Sequence, residues 1–196
     1  MIDRTDHSAA ARIRPTRGST DAIVVHRFAV DLDRDGAFTF DEAIAFFTRD
    51  PEGIATVAFA GSYAEKIPTI ERWRERGVPA VYEHAGFVPY HVVVDARGDR
   101  AQMLRLDARG AHASAWNDRS VAVAVLWRCD LRAPPDDLVN GAVRAIADLL
   151  AAYPQAEVIS HDETLTRAGR PPKGCPGSHF PLAHVVARAR EIVGQG

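Results

Sequence analysis

Residues His161 to Cys175 read H-D-E-T-L-T-R-A-G-R-P-P-K-G-C, followed by Pro176 and Gly177. The short run Glu157-Val158-Ile159-Ser160 leads into this stretch and reads as a strand that delivers His161 at its end. The residues after His161 are polar and carry Gly169, Pro171 and Pro172, so a loop rather than a helix is predicted there. That loop ends by presenting Lys173 and Cys175, with a stiffening proline behind them. Imidazole and thiolate are ligands that zinc prefers, and a lysine beside a zinc-bound water can stabilise a developing negative charge. Such a centre needs at least one more ligand from elsewhere in the chain. A His-x13-Cys pair matches no regular zinc-finger spacing, and taken alone the stretch reads more simply as an ordinary loop.

The chain has 196 residues, enough to bury a core as one domain without disulfides or a structural metal. With 46% hydrophobic and 26% charged residues, the composition is that of a soluble globular protein. A formal net charge of -2 does not indicate a nucleic-acid binder, so no nucleic-acid partner is expected. Cys129 and Cys175 are too few for a secreted disulfide framework, and a reduced, cytosolic chain fits better. Residues 1–20 read as a polar N-terminal segment without the apolar run of a signal peptide. No stretch approaches the length of a membrane span, so no membrane insertion is expected. The protein is therefore expected to be cytoplasmic as synthesised, and released or delivered if its substrate lies outside. Residues 21–196 read as a single domain, with 51–89 as a divergent, insertion-like segment.

Other elements follow from hydrophobic periodicity. Ala22 to Val30 (A-I-V-V-H-R-F-A-V) reads as a buried strand carrying His26, either a hydrogen-bonded core histidine or a ligand. Asp31 to Glu42 (D-L-D-R-D-G-A-F-T-F-D-E) matches the calcium-loop template. In that reading Asp31, Asp33, Asp35 and Glu42 are Ca2+ ligands and Gly36 permits the turn. The template normally follows a helix, however, and an acidic turn capping a helix over Phe40 to Thr48 would look the same. Ile54 to Ala60 reads as a short strand and Ile67 to Arg76 as a helix. Tyr90 to Asp95 and Ala101 to Leu106 read as a hairpin, and Ser120 to Trp127 as a central strand buried on both faces. A long helix from Asp136 to about Tyr153 and a last helix, Leu182 to Val193, complete the set. Strands alternate with helices, which gives an α/β class with a mixed central β-sheet flanked by helices.

Four pieces carry a family likeness: I-V-V-H at 23–26, P-Y-H-V-V-V-D-A-R-G at 89–98, A-H-A-S-A-W-N-D-R-S-V-A-V at 111–123, and S-H-D at 160–162 with K-G-C-P-G at 173–177. In that order they resemble the zinc-dependent N-acetylmuramoyl-L-alanine amidase family, the fold of phage lysozyme-type amidases and peptidoglycan recognition proteins. The resemblance implies one Zn2+ per chain, held by His26, His161 and Cys175 with water in the fourth position. It implies hydrolysis of the amide between N-acetylmuramic acid and L-alanine in peptidoglycan or muropeptides. In that reaction Lys173 and Tyr90 assist a zinc-bound water, and His112 and Asn117 line the substrate groove. For His112 the plainer reading is a loop histidine with no role. His91, next to Tyr90, reads as structural, and Cys129 as a plain buried thiol. Many relatives carry a histidine where this chain has Arg27, a position that is not a ligand. The competing function is a non-catalytic muropeptide-binding module, usually marked by loss of the cysteine that this chain keeps.

Overall fold

The computed structural model describes residues 1–5, 16–28, 39–41, 43, 88–113 and 115–195. Six strands form one sheet: β1 (Ile2–Asp3), β2 (Ala22–Arg27), β3 (Val92–Val94), β4 (Arg100–Gln102), β5 (Ser120–Val125) and β6 (Glu157–Ser160). Their order is β1-β4-β3-β5-β2-β6. Strands β3, β5, β2 and β6 run parallel, while β4 is antiparallel to β3 and parallel to β1. Three helices are described: α1 (Asp136–Ala152), α2 (His161–Arg167) and α3 (Leu182–Gly194). The mixed sheet with helices is the class expected from the sequence.

Every residue of β5 is buried, as its unbroken apolar run predicts for a strand with both faces covered. On one face Ile23, Val25, Val121, Val123 and Val125 pack against Leu138, Ile146 and Leu149 of α1. Helix α3 lies alongside α1 and adds Val185 and Ala189 to the same core. Burying one such side chain contributes roughly 1.5–3 kcal/mol. This face holds the fold together. The opposite face carries Ala22, Val24 and His26 of β2, with smaller apolar clusters around Ile159 and Met103.

The hairpin strands are shorter than expected because Asp95 ends β3. Its Oδ1 accepts from the backbone N–H groups of Arg97 and Asp99, which folds the chain into the turn. The N-terminal segment also contributes to the sheet: Ile2 and Asp3 pair with Ala101 and Gln102, and the side chain of Arg17 is buried. Of the helix expected from Phe40, the described residues Phe40, Asp41 and Ala43 are helical. The strand expected at Ile54 to Ala60, the helix at Ile67 to Arg76, and Asp31, Asp33, Asp35 and Glu42 lie outside the described residues. No described helix is long and apolar enough to cross a membrane.

One expectation is overturned. The stretch after His161 is helical over His161–Arg167, not a loop. Ser160 Oγ accepts from the Glu163 N–H at 3.0 Å, so S-H-D-E is a helix start of the S-x-x-E type. Asp162 and Glu163 occupy the first turn and Arg167 the last, each of the sign that the helix dipole favours. Gly169, at φ +68°, closes the other end. The Arg170 N–H reaches Leu165 O and the Gly169 N–H reaches Thr166 O, the paired bonds of a glycine-terminated helix. Polarity had masked a short, doubly capped helix.

Candidate metal centre and active site

The register of two parallel strands brings the first two candidate ligands together. Val25 of β2 lies opposite Ser160 of β6, so the next step along both strands sets His26 beside His161. Their ring centroids are 4.6 Å apart. This is the carboxyl end of the parallel strands, where open α/β sheets place their sites. Cys175 comes from a return loop held at three points. The Asp162 N–H donates to Cys175 O at 3.1 Å, and the Lys173 N–H donates to Asp162 Oδ1 at 2.8 Å. Arg27 supplies the third, with its Nε donating to Gly174 O at 3.0 Å. The Arg27 backbone N–H also points at Cys175 Sγ, 3.4 Å away. Its guanidinium lies 3.0 Å from Asp130, in an ion pair without hydrogen-bond alignment.

The outcome is a cluster of three donors. One ligand atom each from His26, His161 and Cys175 lies within 4.8 Å of the others, and Cys175 Sγ is 3.9 Å from His26 Nδ1. No other group of three or more metal-ligating side chains occurs among the described residues. The donor set fits a zinc ion: two imidazoles and one thiol, converging from three segments, with a fourth position to spare. Protonation states fit as well. Burial, then the neighbouring His161 and His112, holds His26 well below the usual histidine range. His161 is lowered to about 4, first by burial and then by the nearby charge of Lys173. Both rings are therefore neutral near pH 7, as ligation requires. Burial raises the Cys175 thiol to about 11, so without a cation it keeps its proton. A divalent cation would displace that proton.

Tyr90 packs against His26, with ring centroids 5.1 Å apart, and burial raises its phenol above the usual tyrosine range. It is a neutral hydroxyl at the edge of the cluster. Lys173 is exposed. Its backbone is fixed by Asp162, and its charge is close enough to disfavour protonation of His161. Tyr90 thus stands beside His26, and Lys173 lies near enough to His161 for its charge to act on that ring.

The two residues named for the groove sit deeper. His112 is 8% exposed and its Nδ1 lies 3.2 Å from His26 Nε2, on the far side of that ring from Cys175. Asn117 is 2% exposed, and its Oδ1 accepts from the N–H groups of both His112 and Ala113. His91 is fully buried, with Nδ1 accepting from the Ala122 N–H and Nε2 2.8 Å from Ala108 O. That is a structural histidine. Cys129 is free and buried, its thiol raised to about 12 by burial. Arg27 and Asp162 hold the cysteine loop, a role that nothing in the sequence assigned to them. Their adjacency to His26 and His161 was the available signal.

A parallel-stranded sheet ending in two histidines, with a cysteine returned to them on a loop, defines an α/β protein with a candidate three-donor metal site. The family model for N-acetylmuramoyl-L-alanine amidase matches residues 16–178, and the chain belongs to that family. No curated protein matches the chain. Among solved structures it is similar to the N-acetylmuramoyl-L-alanine amidase LysC from Clostridium intestinale, at 17% identity and a TM-score of 0.55, covering 88% of this chain and 86% of that one. Drosophila PGRP-LB is similar at 15% identity and a TM-score of 0.59, covering 95% and 92%. The ectodomain complex of peptidoglycan recognition proteins LCa and LCx, solved with tracheal cytotoxin, is similar at 12% identity and a TM-score of 0.58, covering 92% of each chain. At these identities the likeness is one of fold.

Proposed function

We propose that this protein hydrolyses the amide bond between the lactyl group of N-acetylmuramic acid and L-alanine, in peptidoglycan or muropeptides, at a zinc centre. The observation that carries this reading is the convergence of His26, His161 and Cys175 within 4.8 Å in a chain of the amidase family. A zinc ion held there would supply Lewis acidity, lowering the pKa of a water toward about 7 and polarising the scissile carbonyl. Two neutral imidazoles and Cys175, as the thiolate left when the cation displaces its proton, would form the ligand set. Tyr90 keeps its phenolic proton and serves as a hydrogen-bond donor that orients water and substrate. Lys173 places a cation where negative charge develops on the carbonyl oxygen, in a loop fixed by Asp162.

The alternative is a module that binds muropeptides without cutting them, and proteins of this fold include recognition proteins. Retention of Cys175 together with Lys173 and Tyr90 favours the enzyme. Incubating the zinc-loaded protein with purified muropeptides and weighing the products by mass spectrometry separates the two. The enzyme reading predicts a free stem peptide beginning at L-alanine and an intact lactyl sugar. Lys173→Ala should keep zinc and slow turnover by roughly 100-fold or more, in line with loss of an oxyanion donor. Tight muropeptide binding with no cleavage would establish the module instead.

A further inference from the structure

Behind His26 runs a chain of polar contacts with only one self-consistent direction. Trp116 O can only accept, so Ser120 Oγ, 2.7 Å away, donates its single proton there. Ser120 Oγ is then left to accept from His112 Nε2, 3.5 Å away. A neutral His112 with its proton on Nε2 has a bare lone pair on Nδ1. His26 Nε2 lies 3.2 Å from that lone pair and must bring the proton. The lone pair of His26 therefore sits on Nδ1, the nitrogen that faces Cys175 Sγ.

Several features hold this chain in place. Asn117 Oδ1 grips the backbone N–H of His112 at 3.0 Å and of Ala113 at 2.9 Å, fixing the point from which the imidazole projects. Gly110 leaves room for the ring: a Cβ there would stand 2.6 Å from His112 Cδ2 and 2.9 Å from His91 Cε1. His91 forms a wall rather than a link, since its Nδ1 is occupied by the Ala122 N–H and its Nε2 faces Ala108 O.

We propose that His112 is a positioning residue for the metal centre, fixing His26 with its proton on Nε2 and its Nδ1 lone pair turned toward Cys175. The proposal rests on the zinc reading above. It gives His112 a task directed at the ligand behind which it is buried, and it makes Asn117, Gly110 and Ser120 parts of the same support. Partners that orient a ligating histidine typically contribute 10- to 100-fold in metal affinity.

The test has two arms. In zinc-free protein with 15N-labelled histidines, long-range proton–nitrogen NMR should show His26 and His112 both protonated at Nε2. A His26 proton on Nδ1 would overturn the proposal, and this arm needs no variant. In the second arm, zinc affinity is measured by competition with a chromophoric chelator, with circular dichroism reporting the fold. His112→Phe should weaken zinc binding by 10- to 100-fold. His112→Gln, which restores an acceptor for the His26 proton, should recover part of the loss. Folded His112→Phe protein with unchanged affinity would also overturn it. Wild-type protein that takes up no zinc would instead defeat the zinc reading, and the NMR arm tells that failure from the first.

Discussion

At the scale of single residues, the candidate centre depends on keeping three imidazoles neutral in close contact. His26, His112 and His161 are each held below the usual histidine value, mainly by burial. In the unfolded chain they titrate near 6.5, so below that pH the unfolded state binds protons that the folded state refuses. Stability then rises with pH across this window and falls as the solution is acidified. For His161 the window runs from 6.5 down to about 4, below which both states carry the proton. While a histidine is protonated only in the unfolded state, each pH unit changes the folding equilibrium about tenfold per group. Urea denaturation of the zinc-free protein between pH 7.5 and 5 should therefore show a falling midpoint. A midpoint that stays level or rises over that range would mean that the imidazoles are not buried as described.

At the scale of elements, α2 is where the sequence was hardest to read and where the site is most exposed to local change. Its seven residues bury only Thr164 and Leu165, so its ends matter more than its packing. Ser160→Ala removes the bond to the Glu163 N–H and should cost about 1 kcal/mol. For a chain of this size that corresponds to a fall in Tm of about 2–4 °C, measurable by differential scanning calorimetry. An unchanged Tm would show that the cap contributes nothing. Polarity together with Gly169 and two prolines suggested a loop, because hydrophobic periodicity carries no signal in so short a helix. The S-H-D-E start and the closing glycine were the legible signs, and they depend on backbone geometry rather than on burial. The long helix α1 and the strands β2 and β5 were legible for the opposite reason. Each has an apolar pattern long enough to fix its type, and errors there are confined to the ends.

At the scale of the whole molecule, the sheet turns distances along the chain into neighbours. His26 and His161 are brought together by parallel pairing of β2 with β6, and Cys175 by a loop tied back to Asp162 and Arg27. The three donors were named because four motifs stood in a family's order, not because spacing predicted a pairing. The layer behind them was not legible at all. That His112 and Asn117 face inward depends on the path of the loop from Gly110 to Arg119, which no periodicity describes. The central claim is that these residues form one zinc site, and the zinc content of the purified protein tests it most directly. Elemental analysis should find one zinc per chain in the wild type, and none in Cys175→Ser of unchanged circular dichroism. Wild-type protein without zinc under non-chelating conditions, or a Cys175→Ser variant that keeps its full zinc content, would contradict the assignment.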